Sequence, residues 1–322
     1  MKPKIAGVLS LKNAISQGYP FLESIYSFLS FGDELFIEDG ESSDGTLEIL
    51  EEISKNKKIK LFSGYKWLSV SKKGHAIRDA YNHVLKKVKD YYQNKQGVYL
   101  MQVQANEIIP EENYRYIKLL PNIYPYYIGF YLPYQFMVGS YMVNNNDWRL
   151  RIIRADQDPL CYGDAGEIYP KRELSFSKFL KITGTATFRY ATRRLYYSHV
   201  YFKTALIYLF VPLPKPIFRY TYVFPSNVIN KIKGHSKLYS GSNDYKAPGY
   251  IPSFIEELSK KKIYNNKFYS LLANNICSRG ITRMSARPIL ISQKSHPRIM
   301  QKIINSNKYI TRSEIVEKIK KL

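Results

Sequence analysis

The stretch Leu35-Phe36-Ile37-Glu38-Asp39-Gly40-Glu41-Ser42-Ser43-Asp44-Gly45-Thr46 decides the fold of this 322-residue chain. A short apolar run ends in two acids, Glu38 and Asp39. A turn of Gly and Ser follows, and Leu47-Glu48-Ile49-Leu50 then opens a helical pattern. That order is strand, loop, helix, with a carboxylate at the strand's carboxyl end, where ligands bind in open α/β sheets. Asp39 there can accept hydrogen bonds from a ribose or a base, and the amides of the following helix start can face phosphate. The same residues also suit an ordinary strand-to-helix loop with Asp44 as the helix cap.

The neighbouring sequence extends this unit. Ile5–Leu11 predicts a buried strand that ends near Ser10 and Asn13. Tyr19–Ser30 predicts a covering helix, with Phe21, Leu22, Ile25, Phe28 and Leu29 at helical spacing. Glu34–Glu38 is the second strand, Leu47–Ile53 the second helix and Lys58–Ser63 the third strand. His75–Tyr92 predicts a helix whose Ala76, Ile77, Ala80, Val84, Leu85 and Val88 line one face. Gly97–Val103 is the fourth strand, and Glu111–Leu120 a helix after Pro110. Alternating strands and helices predict βαβ units and a mostly parallel sheet. No G-x-G-x-x-G follows the first strand and no G-x-x-x-x-G-K-[ST] occurs, which disfavours a dinucleotide fold and excludes a P-loop.

From residue 126 the texture changes. Tyr126–Met137 is aromatic and rich in β formers, and Arg149–Arg154 alternates as a strand with one basic face. Residues 155–170 read as a loop. Ser175–Ile182 and Tyr197–Phe210 read as helices, the latter either a core helix ended by prolines or one lying in a membrane interface. Gly234–Gly249 reads as a surface loop; Ser253–Lys262, Asn265–Ile276, Pro297–Asn305 and Arg312–Leu322 read as short amphipathic helices.

The net charge of +23 is placed unevenly. Residues 1–170 hold 20 Lys+Arg and 20 Asp+Glu, so the entire excess falls in 171–322. A polyanionic or anionic-surface partner suits that half, and a generally lysine-rich composition is the plainer alternative. The chain therefore divides into an expected catalytic part, 1–170, and a basic, largely helical extension, 171–322. The two cysteines, Cys161 and Cys277, indicate neither a disulfide framework nor a zinc site. No run of about 18 apolar residues exists, and the apolar start is too short for a signal peptide, so a cytoplasmic protein is expected.

Two further clusters can carry chemistry. The fourth strand ends in Gln104-Ala105-Asn106-Glu107, where a metal-bound diphosphate would sit beside Asp39. Glu107 is the one carboxylate in that run, and its two amides can equally bond a loop backbone. Gly163-Asp164-Ala165-Gly166-Glu167 places a carboxylate in a small-residue loop, as a general base requires, or is simply a turn. Tyr65, Trp67, Trp148 and the 131–136 run can stack on sugar rings or pack in the core.

Taken together, Ile37–Thr46 resembles the Asp-Asp-Gly-Ser-x-Asp-Gly-Thr signature of inverting family-two glycosyltransferases with the GT-A fold. Gly74–Asn82 is similar to that family's Gly-x-x-x-Ala-Arg-Asn helix, and Tyr99–Ile109 falls where it carries Asp-x-Asp. The run is closer to a subgroup with Gln-Ala-Asp-Glu. Phe136–Tyr141, Arg151–Arg154, Gly163–Ala165 and Ser295–Pro297 resemble the same subgroup. The resemblance implies a GT-A-type sheet flanked by helices. It also implies a nucleotide-diphosphate sugar donor bound by Ser10, Asn13, Asp39, Arg78, Gln104 and Asn106. By the same resemblance, Glu107 holds Mg²⁺ or Mn²⁺, and Asp164 or Glu167 is the catalytic base. Asn106 departs from the family, which has Asp there; an amide brings no charge to a hard cation.

The expectation is a glycosyltransferase acting with inversion on a glycan, lipid-linked or protein acceptor. It is expected to sit in the cytoplasm, peripherally at the inner membrane face. A nucleotidyltransferase, or a non-catalytic protein binding nucleic acid or another anionic surface, are the alternatives. The nucleic-acid reading explains the charge but not the ordered acidic strand ends.

Overall fold

The parallel half of the sheet follows from three apolar runs that have buried residues on both faces, with a fourth, half-buried strand at its edge. In the computed structural model these are β1 (Lys4–Leu11), β2 (Glu34–Asp39), β3 (Ile59–Ser63) and β4 (Val98–Gln102), in spatial order β3-β2-β1-β4. The structure describes residues 2–67, 76–93, 96–144, 147–162, 167–170, 208–224, 226–228, 266–278, 284–304, 306 and 311–322. Along β1 the two faces separate by parity. Ile5, Leu9 and Leu11 join the larger core, while Ala6 and Val8 join a second core on the opposite face.

Helices cover both faces. α1 (Phe21–Leu29) and α2 (Thr46–Ile53) pack on the first face through Phe21, Leu22, Ile25, Phe28, Leu50 and Ile53. α3 (Ala76–Tyr92) covers the second through Tyr81, Val84, Leu85, Val88 and Tyr92. Gly7 permits the close approach of α1, because a Cβ there would lie 2.6 Å from Leu35 Cδ1 and 2.7 Å from Phe28 Cε1. Phe28 is fully buried as a result, a burial that contributes about 2–3 kcal/mol. α4 (Tyr114–Ile123) follows a 3-10 turn at Glu111–Asn113.

Beyond α4 the sheet turns antiparallel. β5 (Glu107–Ile108) is a short strand before that point; β6 (Gly129–Val138), β7 (Tyr141–Asn144) and β8 (Asp147–Arg154) then extend the sheet, with β8 lying between β6 and β4. The basic extension contributes strands as well as helices. β11 (Tyr208–Phe210) and β12 (Ile217–Tyr222) run parallel to β6, and β13 (Met284–Leu290) pairs with β7. Its described helices are α5 (Asn266–Ser278), α6 (Arg298–Gln301) and α7 (Ser313–Lys321). α7 returns to the N-terminal helices: Ile315, Val316 and Ile319 are buried, and Asn56 Nδ2 donates to the Ile319 carbonyl at 2.6 Å. Among the described residues, no helix is long and apolar enough to cross a membrane.

Two expectations change. Residues 155–170 are not a plain loop: β9 (Pro159–Tyr162) and β10 (Glu167–Pro170) pair antiparallel, with Ile168 and Cys161 buried against α3. The expected helix Tyr197–Phe210 is a strand over Tyr208–Phe210, where Phe210 stacks on Tyr131 at 4.5 Å. The rest of that expected helix, and the readings at 175–182, 234–249 and 253–262, lie outside the described residues. Arg149–Arg154 is the expected strand, and on it Arg151 is 1% exposed.

Candidate functional site

The carboxyl ends of β1, β2 and β4 lie side by side. Ser10 is in register with Glu38, Leu11 with Asp39, and Val8 with Gln102. Ser10, Glu38 and Asp39 are all buried. One oxygen of each acid is fixed by the protein. Asp39 Oδ2 accepts from the Ser42 amide at 2.8 Å, and Glu38 Oε2 lies 2.9 Å from His83 Nδ1. The Tyr65 ring stacks on His83 at 4.8 Å, and burial raises the Tyr65 hydroxyl pKa. The other oxygens are orphaned: Ser10 Oγ, Glu38 Oε1 and Asp39 Oδ1 are buried with no hydrogen-bond partner among the described residues, as is Trp67 Nε1. A buried polar group left unmade costs about 1–3 kcal/mol, and these oxygens lie at the carboxyl ends of the neighbouring strands β1 and β2.

The loops that frame this edge are tied to each other. Asn13, at φ +50°, donates its amide to Ser42 Oγ at 2.8 Å, and its side-chain oxygen accepts from the Ser43 amide at 2.8 Å. Asp44 accepts from the Ser16 amide at 2.7 Å and from the Thr46 amide at 3.1 Å. Asp44 is therefore a staple between the β1 and β2 loops. The residue that caps α2 is Gly45, at φ +88°, a left-handed conformation that Gly adopts at little cost. Gly40 leaves room for an aromatic wall, because a Cβ there would lie 2.4 Å from Trp67 Cδ1.

The end of β4 is built differently from the expectation. Glu107 is bonded to Arg151, with side chains 4% and 2% exposed. Arg151 also donates to Gln102 Oε1 at 2.8 Å. Glu107, expected to hold a cation, thus has its charge offset by a guanidinium. The Gln104 carbonyl accepts from Ser24 Oγ at 2.8 Å and from the Glu107 amide at 3.0 Å. Asn106 is buried, and its carbonyl accepts from the Tyr220 amide at 2.8 Å. Among the described residues no group of three His, Cys, Asp or Glu side chains could hold a metal ion.

Arg78 binds its neighbour Asp79 at 2.6 Å, and both act electrostatically on Tyr65 together with Glu38. Glu167 starts β10, paired with Tyr162. Asp164 lies outside the described residues. His296, from the Ser295-His296-Pro297 run, is buried with Nδ1 2.7 Å from the Tyr220 hydroxyl. Burial, helped by Lys215, lowers its pKa to about 4, so the ring stays neutral. It braces β12, the strand that holds Asn106. His83 and Tyr220 carried no sequence signal, because their partners Glu38 and His296 lie 45 and 76 residues away.

No family model matches the chain, and no curated protein matches it. Solved structures do. The S. aureus TarS fragment 1–349 in complex with UDP-GlcNAc is similar at 13% identity and a TM-score of 0.39, over 86% of this chain and 76% of that one. The mannosyltransferase PcManGT from Pyrobaculum calidifontis, in complex with GDP-Man and Mn²⁺, is similar at 11% identity and a TM-score of 0.36, over 87% and 76%. A putative glucose-1-phosphate thymidylyltransferase from Bacillus anthracis gives 10% identity and a TM-score of 0.33. The chain spans 38% of the longer TarS structure. Likeness this faint specifies no activity.

Proposed function

We propose that the protein is a glycosyltransferase that takes a sugar from a nucleotide-diphosphate sugar and delivers it, with inversion, to an acceptor hydroxyl or amide. The observation that carries this reading is the set of orphaned polar atoms at the carboxyl ends of β1 and β2, in Ser10, Glu38 and Asp39, with Trp67 on the loop after β3. The carboxylate oxygens can accept from ribose hydroxyls or base N–H groups, and the indole N–H can donate to a base carbonyl or a phosphate. Asp39 and Ser10 bind the nucleoside, Arg78 lies alongside, and the Gln104–Asn106 turn faces the diphosphate. The framing loops hold these groups before the ligand arrives, which lowers the ordering cost of binding.

In the proposed reaction the acceptor oxygen or nitrogen attacks the anomeric carbon from the face opposite the diphosphate. The bond from that carbon to the diphosphate oxygen breaks, and the acceptor proton passes to Asp164 or Glu167. The expected Mg²⁺ or Mn²⁺ does not fit the described donors on their own. Gln104 and Asn106 offer amides, and the Glu107 carboxylate is already paired with Arg151. Residues 1–170 form the donor-binding part. The basic residues 171–322 complete the acceptor side and meet an acceptor held at an anionic membrane surface.

A thermal-shift screen of nucleoside diphosphates and their sugars tests the reading. One nucleotide is expected to raise the midpoint in the parent protein and not in Asp39→Ala. An unchanged response in the variant would move the site elsewhere. Flotation with anionic vesicles tests the surface claim, which fails if neutral vesicles bind equally.

A further inference from the structure

The outer face of α4 is apolar where a surface helix is ordinarily polar. Among the described residues nine large apolar side chains are exposed, and five of them fall in one stretch: Tyr116, Leu119, Ile123, Tyr124 and Tyr126. Ile123 is 57% exposed and Tyr126 88%. At 3.6 residues per turn, Tyr116, Leu119 and Ile123 share one stripe of the helix, about 60° wide. Arg115, Lys118 and Asn122 form an exposed stripe beside it. Ile117, Leu120 and Pro121 are buried on the opposite side. The helix is thus anchored to the protein by one face and presents two others, one apolar and one basic. An exposed apolar patch with a polar rim marks a surface that meets a protein or a membrane.

Charge selects between the two. Tyr114–Ile123 carries Arg115 and Lys118 and no acid. Of the acids just before it, Glu112 is ion-paired with Lys215 at 2.7 Å, and Glu111 is half-buried. A second copy of this chain, with its net charge of +23, would bring like charge to that face. An anionic bilayer satisfies both stripes. Its headgroups attract the two cations, the boundary with the acyl chains takes Leu119 and Ile123, and tyrosine rings sit where one end is apolar and the other wet. The placement also suits the proposed reaction. α4 is separated from β5 by little more than the Glu111–Asn113 turn, and that turn is bonded to the basic extension, because Asn113 Nδ2 donates to the Lys215 carbonyl at 2.7 Å.

We infer that the outer stripes of α4 and the Tyr124–Tyr126 turn dock on an anionic lipid bilayer, with the helix lying in its interface. This adds α4 to the surface claim made for residues 171–322 and rests on that claim, and the test separates the two. The full chain is floated with vesicles of phosphatidylcholine alone and with about 30% phosphatidylglycerol. The parent is expected to prefer the anionic vesicles. Leu119→Ser with Ile123→Ser, and Arg115→Gln with Lys118→Gln, are each expected to weaken that binding at least about tenfold. Both pairs are exposed, so the parent unfolding midpoint and the response to nucleoside diphosphates are expected to remain. Added salt should weaken the parent more than the Arg115→Gln, Lys118→Gln protein. Tyr126→Ser, outside the helix, is expected to show a smaller loss and keeps the test decisive if a helix variant fails to fold.

Parent-like flotation of both double variants, or of Tyr126→Ser where those do not fold, overturns docking by α4 and leaves the surface claim to residues 171–322. A parent that shows no preference for anionic vesicles overturns the surface claim and the docking together, while the nucleotide response decides the donor reading by itself. A parent that sediments as a dimer, with Leu119→Ser, Ile123→Ser a monomer and flotation unchanged, makes the face an interface between copies and overturns the proposal.

Discussion

Replacing Glu107 by Leu separates a structural carboxylate from a metal ligand. Glu107 and Arg151 are 4% and 2% exposed in their side chains, so removing the acid strands a buried guanidinium. Breaking a buried pair from one side costs about 3–5 kcal/mol. Gln102 still accepts from Arg151 at 2.8 Å, which puts the expected loss at the lower end, about 3 kcal/mol. Adding Arg151→Met should return most of that loss, because both buried charges are then gone. Urea denaturation of the parent, both single variants and the double variant gives the coupling directly, provided the slopes agree. A loss below about 1 kcal/mol in Glu107→Leu, or no recovery in the double variant, would refute the pairing argument. Stabilisation of the parent by Mn²⁺ that vanishes in Glu107→Leu would show that the acid is a ligand after all.

Glu23 sets a pH dependence. Burial pushes its carboxyl from 4.5 up to about 7, with Arg312 opposing from 3.4 Å. The folded state keeps the proton after the unfolded chain has lost it, so the stability that Glu23 contributes is fully present below pH 4.5 and is lost as pH rises towards 7. The slope is about 1.4 kcal/mol per unit, or about 3 kcal/mol across the window. Glu23→Gln should flatten that part of the stability–pH curve measured by denaturation, and an unchanged slope would assign it to another group. Gly40→Ala places a methyl against Trp67, should cost about 1–3 kcal/mol, and should shift the tryptophan emission; parent-like fluorescence and stability would contradict the contact. Asn56→Ala removes the bond to Ile319 and an acceptor for the Lys58 amide at 2.8 Å. A loss of about 2 kcal/mol and faster proteolysis at the C-terminal helix are expected, and unaltered cleavage would speak against the tether.

The sequence made the parallel half readable because each of its signals is local. Ile5–Leu11 is a continuous apolar run, and the α3 stripe repeats at helical spacing, so neighbours alone define both. The antiparallel part hides its signals. β9 and β10 are four residues each, with prolines at Pro159 and Pro170, and read as loop. Tyr208–Phe210 becomes a strand only because Gly129–Tyr131 offers an edge. At the site, Asp39 and Ser10 were legible from their places at strand ends. The fate of Arg151 was not: its partners Gln102 and Glu107 lie 49 and 44 residues earlier. The same distance concealed the position of Arg219 beside Glu107, a pairing across the β12–β5 register.

The central claim is that the orphaned edge at Ser10 and Asp39 binds the nucleoside end of a sugar donor. Calorimetric titration of nucleoside diphosphates into the parent protein and Asp39→Asn tests it most directly. Asn keeps the shape and removes the charge, so a hydrogen bond to a charged acceptor, about 1.5–3 kcal/mol, should be lost. The account predicts that one nucleoside diphosphate binds the parent and binds Asp39→Asn at least about tenfold more weakly. Equal affinity in the two proteins, or no nucleoside diphosphate bound by the parent, would contradict it.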